Sequence, residues 1–373
     1  MNNKNSKKTI LFLIFYTNAC GNITNHFLKH GGGSLASSRL QVTPMLEAIL
    51  KADLQPSIWS LHSNQTEALQ RFKEIKHPVA LVIGKMSSDD STAIESMIQA
   101  NTQAILYAKQ SNIPTVVLYS DNHLCRRDKI GDFYRGILNC ADSAIVPSKS
   151  LAESISKYTK NRIKCFCIKD PWQAELTDFS ATKNLKESTK LIWFGSGRNI
   201  HYLLNILPEL FRNCIESEHY SLTILSRKNV LQYAHQKIQT FQKPCKKWTI
   251  KYARWDDENQ PNQLNSLLQS SDISLIPSDP NDPKKIGVSH NRLVDSIRAG
   301  CVTVASPLAS YKELSNSALL GNDFANLVNY AVINYKSLCQ KYTRNRAEWM
   351  PNFSPEKNSK DWEFTVNSLF ISR

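Results

Sequence analysis

Short apolar runs recur along the first half of the chain at residues 9–17, 57–61, 79–84, 115–120, 143–147 and 164–168. Each is brief for a helix, and such continuous apolar stretches suit strands buried on both faces of a sheet. Between them lie stretches of helical periodicity at 44–52, 66–75, 91–110 and 151–158. Strand-like runs alternating with amphipathic helices predict a parallel sheet covered by helices on both sides. Asp170-Pro171 breaks the alternation, and the polar residues that follow, to about residue 189, read as a linker. The pattern then restarts. Strands are expected at 190–195, 221–226, 248–252, 272–277 and 301–305, with helices at 199–212, 263–270, 291–299 and 324–342. An amphipathic segment at 356–370 closes the chain.

The fold class this predicts is α/β, with two tandem Rossmann-like domains facing each other across a cleft. The expected boundaries are an N-terminal domain over 1–172, a linker over 173–189, a C-terminal domain over 190–352, and a terminal helix within 353–373 that packs back toward the N-terminal domain. A length of 373 residues suits two domains better than one. In doubly wound sheets ligands sit beyond the carboxyl ends of the strands, so the loops that follow strands are where chemistry is sought.

Charge and cysteine usage narrow the partners. The formal net charge is +14, which favours anionic partners such as a phosphorylated substrate or an anionic membrane face. The basic residues are scattered, apart from small groups such as Arg126, Arg127 and Lys129, and are not interleaved with aromatics on one element, so nucleic acid is not expected. Nine cysteines form no paired Cys-x-x-Cys sets, which points away from a metal site and toward thiols in a reducing cytosol. At the N-terminus, Lys4, Lys7 and Lys8 precede an apolar run at 10–16, the outline of a short signal peptide. That run is too short to span a membrane and has the composition of a buried first strand. The expected location is cytoplasmic, with peripheral contact at the inner membrane face as the accompanying possibility.

Four motifs carry candidate chemistry. Phe194-Gly195-Ser196-Gly197-Arg198-Asn199 joins an expected strand to a helix. Gly195 and Gly197 let a phosphate approach the backbone at a helix N-terminus, and Arg198 offers a bidentate contact to a diphosphate. The plain alternative is a tight turn with Asn199 as helix cap. The second motif runs from Lys284 to Gly300 and brings Lys285, Ser289, His290, Asn291, Arg292 and Asp295 to the start of a helix on the carboxyl side of a strand. Asn291 and Asp295, four apart, share a helix face. A surface helix with an ordinary cap explains the helix but not the dense polar set before it. Gly31-Gly32-Gly33-Ser34 is a candidate acceptor or phosphate loop, or simply a surface loop. Ser120-Asp121-Asn122-His123 follows a strand, and Asp121 or His123 is a candidate base; a histidine there is otherwise a structural hydrogen-bonding group.

The stretch KKIGVSHNRLVDSIRAGCVTVASPLASYKEL resembles the donor-binding region of GT-B glycosyltransferases: a polar loop, a helix bearing an acid, Ala-Gly, a strand, a small-residue turn and Glu. LIWFGSGRN resembles the first strand and phosphate loop of the same domain, and matching segments extend over most of 115–313. In related retaining families two Glu residues are separated by seven others. Asp295 occupies the second of those places, which implies a hold on ribose hydroxyls, and Gly287 falls at the first. Lys285, Asn291 and Arg292 match a variant in which Lys and Asn-Arg serve the diphosphate and sugar. The resemblance implies transfer of a sugar from a nucleotide-sugar donor to a hydroxyl of a glycan or lipid-linked glycan, with basic side chains in place of a metal and no cofactor. Two other readings stay open from the residues: a sugar-nucleotide epimerase on the same framework, and a non-enzymatic two-lobed sugar-binding protein.

Overall fold

The computed structural model describes residues 8–14, 21–30, 36–61, 66–76, 78–84, 91–180, 185, 188–214, 219–241, 247–255 and 260–371. The chain divides into two compact units. One comprises Met1–Asp170, Ile286–Ser289 and Glu356–Arg373; the other comprises Pro171–Lys285 and His290–Pro355.

The first unit is built on seven strands: β1 (Thr9–Leu13), β2 (Gly21–Asn22), β3 (Gln55–Ser60), β4 (Pro78–Ile83), β5 (Thr115–Leu118), β6 (Ser143–Val146) and β7 (Lys164–Cys167). Their order is β2-β3-β1-β4-β5-β6-β7. Every pair is parallel except β2 with β3, which is antiparallel. Leaving β2 aside, the order reverses between β1 and β4, which is the switch point where ligands gather in such sheets. The segments after those two strands, 15–20 and 85–90, lie outside the described residues.

Alternation along β1 sends its side chains to two cores. Leu11 and Leu13 pack with Phe72, Ile105, Tyr134 and Leu138 on one face. Ile10 and Phe12 pack on the other with Met45, Ile49, Trp362 and Phe370. The last two side chains come from the terminal helix Pro355–Val366 and the turn after it, so this segment completes the core of the first unit. Each large side chain so buried contributes about 1.5–3 kcal/mol. The helical stretch leading into Thr43–Lys51 begins with a π-helical turn, Ser38–Val42, which buries Gln41.

The second unit holds β8 (Thr189–Phe194), β9 (Tyr220–Ser226), β10 (Trp248–Arg254), β11 (Ile273–Ile276), β12 (Val302–Ala305) and β13 (Leu319–Leu320). All pairs are parallel, in the order β10-β9-β8-β11-β12-β13. Numbered within the unit this is 3-2-1-4-5-6, the dinucleotide-binding order, with its switch point between β8 and β11. The helix expected over 324–342 is two helices, Phe324–Ile333 and Tyr335–Trp349, broken at Asn334 (φ −104°, ψ 17°).

The stretch read as a polar linker is not a loose tether along its described length. Gln173 donates from its backbone and side-chain amides to Asp295 (3.1 and 3.3 Å). Arg298 donates to the Glu175 carbonyl (2.7 Å), Thr177 N donates to the Arg298 carbonyl (2.9 Å), and Arg346 donates to Asp178 (2.9 Å). Residues 171–180 therefore form part of the second unit, with Phe179 buried. Among the described residues no helix is long and apolar enough to cross a membrane.

Candidate functional site

The carboxyl ends of β8 and β11 meet at the switch point of the second unit, and the first two glycosyltransferase-like motifs leave from these ends. After β8 the chain turns through Gly195 and Ser196 into a 3-10 turn, Gly197–Asn199, and then the helix Ile200–Asn213. A Cβ at Gly197 would lie 2.9 Å from Val230 Cγ2, so glycine lets this turn sit against the neighbouring helix. Asn199 precedes the helix but its side chain does not cap it. Its Oδ1 instead accepts from Lys285 Nζ at 2.8 Å.

Lys285 is held from a second side. Its Nζ lies 5.0 Å from the Tyr202 ring centroid, and Tyr202 OH donates to Asp282 Oδ2 at 3.1 Å. Burial and then the bond to Asp282 push the Tyr202 phenol up to about 12. The ring thus stays neutral and keeps its face for the ammonium. A cavity of about 520 Å³ opens here, lined in part by His201, Tyr202, Asn205, Ser278, Asp282 and Ser306.

Arg292 lies beneath the glycine turn. Its guanidinium carbon is 5.6 Å from the Trp193 ring and 5.3 Å from the Phe194 ring, and a Cβ at Gly195 would be 3.6 Å from it. Its Nε and Nη2 are buried without a hydrogen-bond partner among the described residues. Burial pulls its pKa below the usual guanidinium value and pushes that of nearby Tyr311 up. A half-buried cation with two buried, unmatched donor nitrogens is an unfavourable arrangement of the kind a bound anion relieves. Nothing in the sequence pattern marked Tyr202, Asp282 or Tyr311 as members of this cluster, although Tyr202 stands one helical turn after Asn199 and so shares its face.

The other candidates are placed as follows. Arg198 is exposed on the 3-10 turn, and Asn291 is half-buried at the first position of the helix Asn291–Arg298, its Oδ1 accepting from Arg292 N at 2.7 Å. His290, at the N-cap, is fully buried, with Nε2 3.7 Å from Glu313 Oε1. Asp295 is buried and its carboxylate holds Gln173. Ser289 belongs to the first unit, where its Oγ donates to Asp170 Oδ2 at 2.5 Å. Also in the first unit, Asp121 is half-buried, whereas His123 is buried with its ring stacked on Tyr134 at 4.0 Å and edge-on to Tyr119. Gly32, Gly33 and Ser34 lie outside the described residues. Among the described residues no group of three or more His, Cys, Asp or Glu side chains is arranged to hold a metal ion. A cavity of about 630 Å³ near the amino-terminal ends of β1 and β3, lined by Thr9, Asn22 and Gln55 among others, is larger but lies at the end of the sheet that rarely binds ligands.

No protein-family model matches the sequence, and a search of characterised proteins finds no match either. Solved structures do match. HepE of Anabaena in complex with UDP and glucose aligns over 97% of this chain and 100% of its own, with TM-score 0.62 and 12% identity. An α,α-trehalose-phosphate synthase (UDP-forming) from Burkholderia vietnamiensis aligns over 98% of both chains, with TM-score 0.58 and 8% identity. The lipopolysaccharide outer core galactosyltransferase WaaB in its apo form aligns over 96% of this chain and 99% of its own, with TM-score 0.59 and 10% identity. These are GT-B proteins, and the α/β fold with two parallel sheets that the sequence pattern predicts is theirs.

Proposed function

We propose that the protein is a glycosyltransferase that moves a sugar from a nucleotide-sugar donor to a hydroxyl of a glycan or lipid-linked glycan. The observation that carries the reading is Arg292: a half-buried arginine whose Nε and Nη2 are buried without a hydrogen-bond partner among the described residues, under the Gly195 turn at the switch point. An anionic diphosphate meets those groups, the Lys285 ammonium and the start of the helix Ile200–Asn213 together. In sugar transfer the bond from the anomeric carbon to the diphosphate breaks, and negative charge grows on the leaving oxygen. Preorganised cations at that point stabilise the transition state more than the ground state. Arg198 and Asn291 stand beside this set, and Asp295 enters as the ribose-binding acid by its place in the motif. Of the two candidate bases, Asp121 is the one assigned, since His123 is packed among tyrosines. The charge stabilisation comes from side chains, so no metal or other cofactor is required in this reading.

Support comes from the neighbours as well, which include a structure with UDP and glucose, a UDP-forming synthase and a galactosyltransferase. A thermal-shift panel of UDP, GDP and ADP with their glucose conjugates tests the proposal, because a ligand that binds only the folded chain raises its melting temperature. At least one base should stabilise the protein by several degrees at millimolar ligand, and Arg292→Ala should abolish that shift. A panel without any shift removes the proposal. Incubating the stabilising sugar nucleotide alone separates transfer from epimerisation, since an epimerase converts it without an acceptor.

A further inference from the structure

The cavity of about 630 Å³ at the amino-terminal ends of β1 and β3 lies wholly within the first unit. Its floor follows from strand alternation. Leu11 pairs with Ser57 and Leu13 with Trp59, and Leu11, Leu13 and Trp59 pack into the apolar core with Phe72. Thr9 and Gln55 pair two residues earlier on the same face, so this face turns from apolar to polar at Thr9, Gln55 and Ser57. Asn22, Thr24, Asn25 and His26 form a wall, and Pro56 and Ile75 add apolar surface. Charged residues make up 21% of the chain, yet no Lys, Arg, Asp or Glu lines this cavity. The pairing of β2 with β3 stops at Trp59, and Pro56 has no N–H, so the strand edge beside the cavity is poorly matched to an added peptide strand.

The hydrogen bonds already made fix what the lining has left to offer. Asn22 Oδ1 accepts from the Thr24 backbone N (3.0 Å) and from Thr24 Oγ1 (2.6 Å), and Thr24 Oγ1 accepts from Ile58 N (2.8 Å). The Asn22 amide nitrogen is left to donate. Ser57 is only 8% exposed and accepts from Trp59 Nε1 at 2.8 Å, so its hydroxyl hydrogen is left to donate as well. The side-chain amides of Asn25 and Gln55 bond to no described residue, and each both donates and accepts. Without a formal charge, this set cannot offset the desolvation of a phosphate, a carboxylate or an ammonium. It matches neighbouring hydroxyls, each of which donates and accepts, and the volume falls within the range of small-ligand sites. We infer that this cavity is a binding site for an uncharged carbohydrate, sharing no residue with the diphosphate cluster. It stands at the ends of the strands away from the switch point, so it holds sugar without transferring it.

Saturation-transfer difference NMR on the full chain, without nucleotide, tests this. The probes are glucose, galactose, maltose and lactose at millimolar concentration, with glucuronate, galacturonate, glucosamine and galactosamine as charged counterparts. At least one uncharged sugar should give a saturable signal, and its charged counterparts should bind about tenfold more weakly or not at all. Ser57→Ala, Asn25→Ala and Gln55→Ala should each weaken the uncharged sugar about threefold to tenfold, the range for one hydrogen bond. Asn25 and Gln55 are exposed, so their variants carry the test if Ser57→Ala does not fold. Lys285→Ala should bind the sugar as the parent does. Silence from every uncharged sugar, equal signals from the charged counterparts, or undiminished binding in the Asn25 and Gln55 variants would each overturn the inference. Loss of the sugar signal in Lys285→Ala would overturn it too, by moving the sugar to the diphosphate cluster. The measurement needs no nucleotide, so this inference and the proposed function fail separately.

Discussion

Lys285 and Arg292 reach the same turn with different preparation. Arg292 rests against two aromatic rings with its Nε and Nη2 buried, so its position is largely set before any ligand arrives. Lys285 donates to Asn199 and lies over the Tyr202 ring, contacts that a phosphate oxygen can replace. Lys285→Ala should therefore remove a charge-assisted contact worth about 1.5–3 kcal/mol, or roughly ten- to a hundred-fold in affinity for the nucleoside diphosphate by calorimetry. On the proposed reading these side chains supply the positive charge, so activity in excess EDTA should equal that in buffer. Abolition by EDTA with recovery on adding Mg²⁺ would show that the cations alone do not suffice. The residue types of this cluster were legible, since Lys285, Arg292 and the two glycines stand in recognisable motifs. Their partners were not. Asn199 has the identity of a helix cap, and only the fold shows its carbonyl turned to Lys285 across 86 residues of sequence. Asp295 has the identity of a ligand-binding acid, and the structure gives it Gln173 as a partner.

Strands and long helices were read closely from periodicity because burial on two faces leaves a continuous apolar run. Helices with weak signals were not. Lys129–Cys140 carries two glycines, and one of them, Gly131, is demanded by packing: a Cβ there would lie 2.4 Å from the Arg126 carbonyl oxygen. Lys228–Thr240 has only a narrow apolar stripe, Val230, Leu231, Ala234 and Ile238, on a polar background. The loop after β11 shows how an element explains a departure from a motif. Gly287 stands where the retaining families that this motif resembles carry an acid, and here its φ is +78° with Leu151 Cβ 2.4 Å from where a side chain would begin. An acid at this position has neither the backbone conformation nor the space. Gly287→Ala adds a left-handed penalty of about 1–2 kcal/mol and an overpacking penalty of about 1–3 kcal/mol. The denaturation midpoint should fall accordingly, and on the proposed function donor affinity should fall with it because the shifted loop leads directly from Lys285. An unchanged midpoint would mean that the loop moves away from Leu151 without loss.

At the scale of the whole molecule the dominant property is charge. A net +14 persists after the ion pairs that the structure shows, such as Lys51 with Glu363 and Arg346 with Asp178, because those pairs cancel within themselves. Only a few charges are needed to hold a diphosphate, so most of the excess acts at longer range. An extended anionic surface is a partner that such an excess is expected to attract. The attraction between exposed charges and a surface is screened over about 10 Å at 0.1 M salt and about 3 Å at 1 M. The protein should therefore sediment with vesicles containing a third phosphatidylglycerol at 50 mM salt, be released toward 0.5 M, and ignore pure phosphatidylcholine at both. A buried apolar anchor would instead resist the salt, and indifference to anionic vesicles at 50 mM would confine the charge to a role in steering the anionic donor. That last outcome has its own signature, an association rate for the sugar nucleotide that falls steeply with ionic strength while the dissociation rate stays nearly constant.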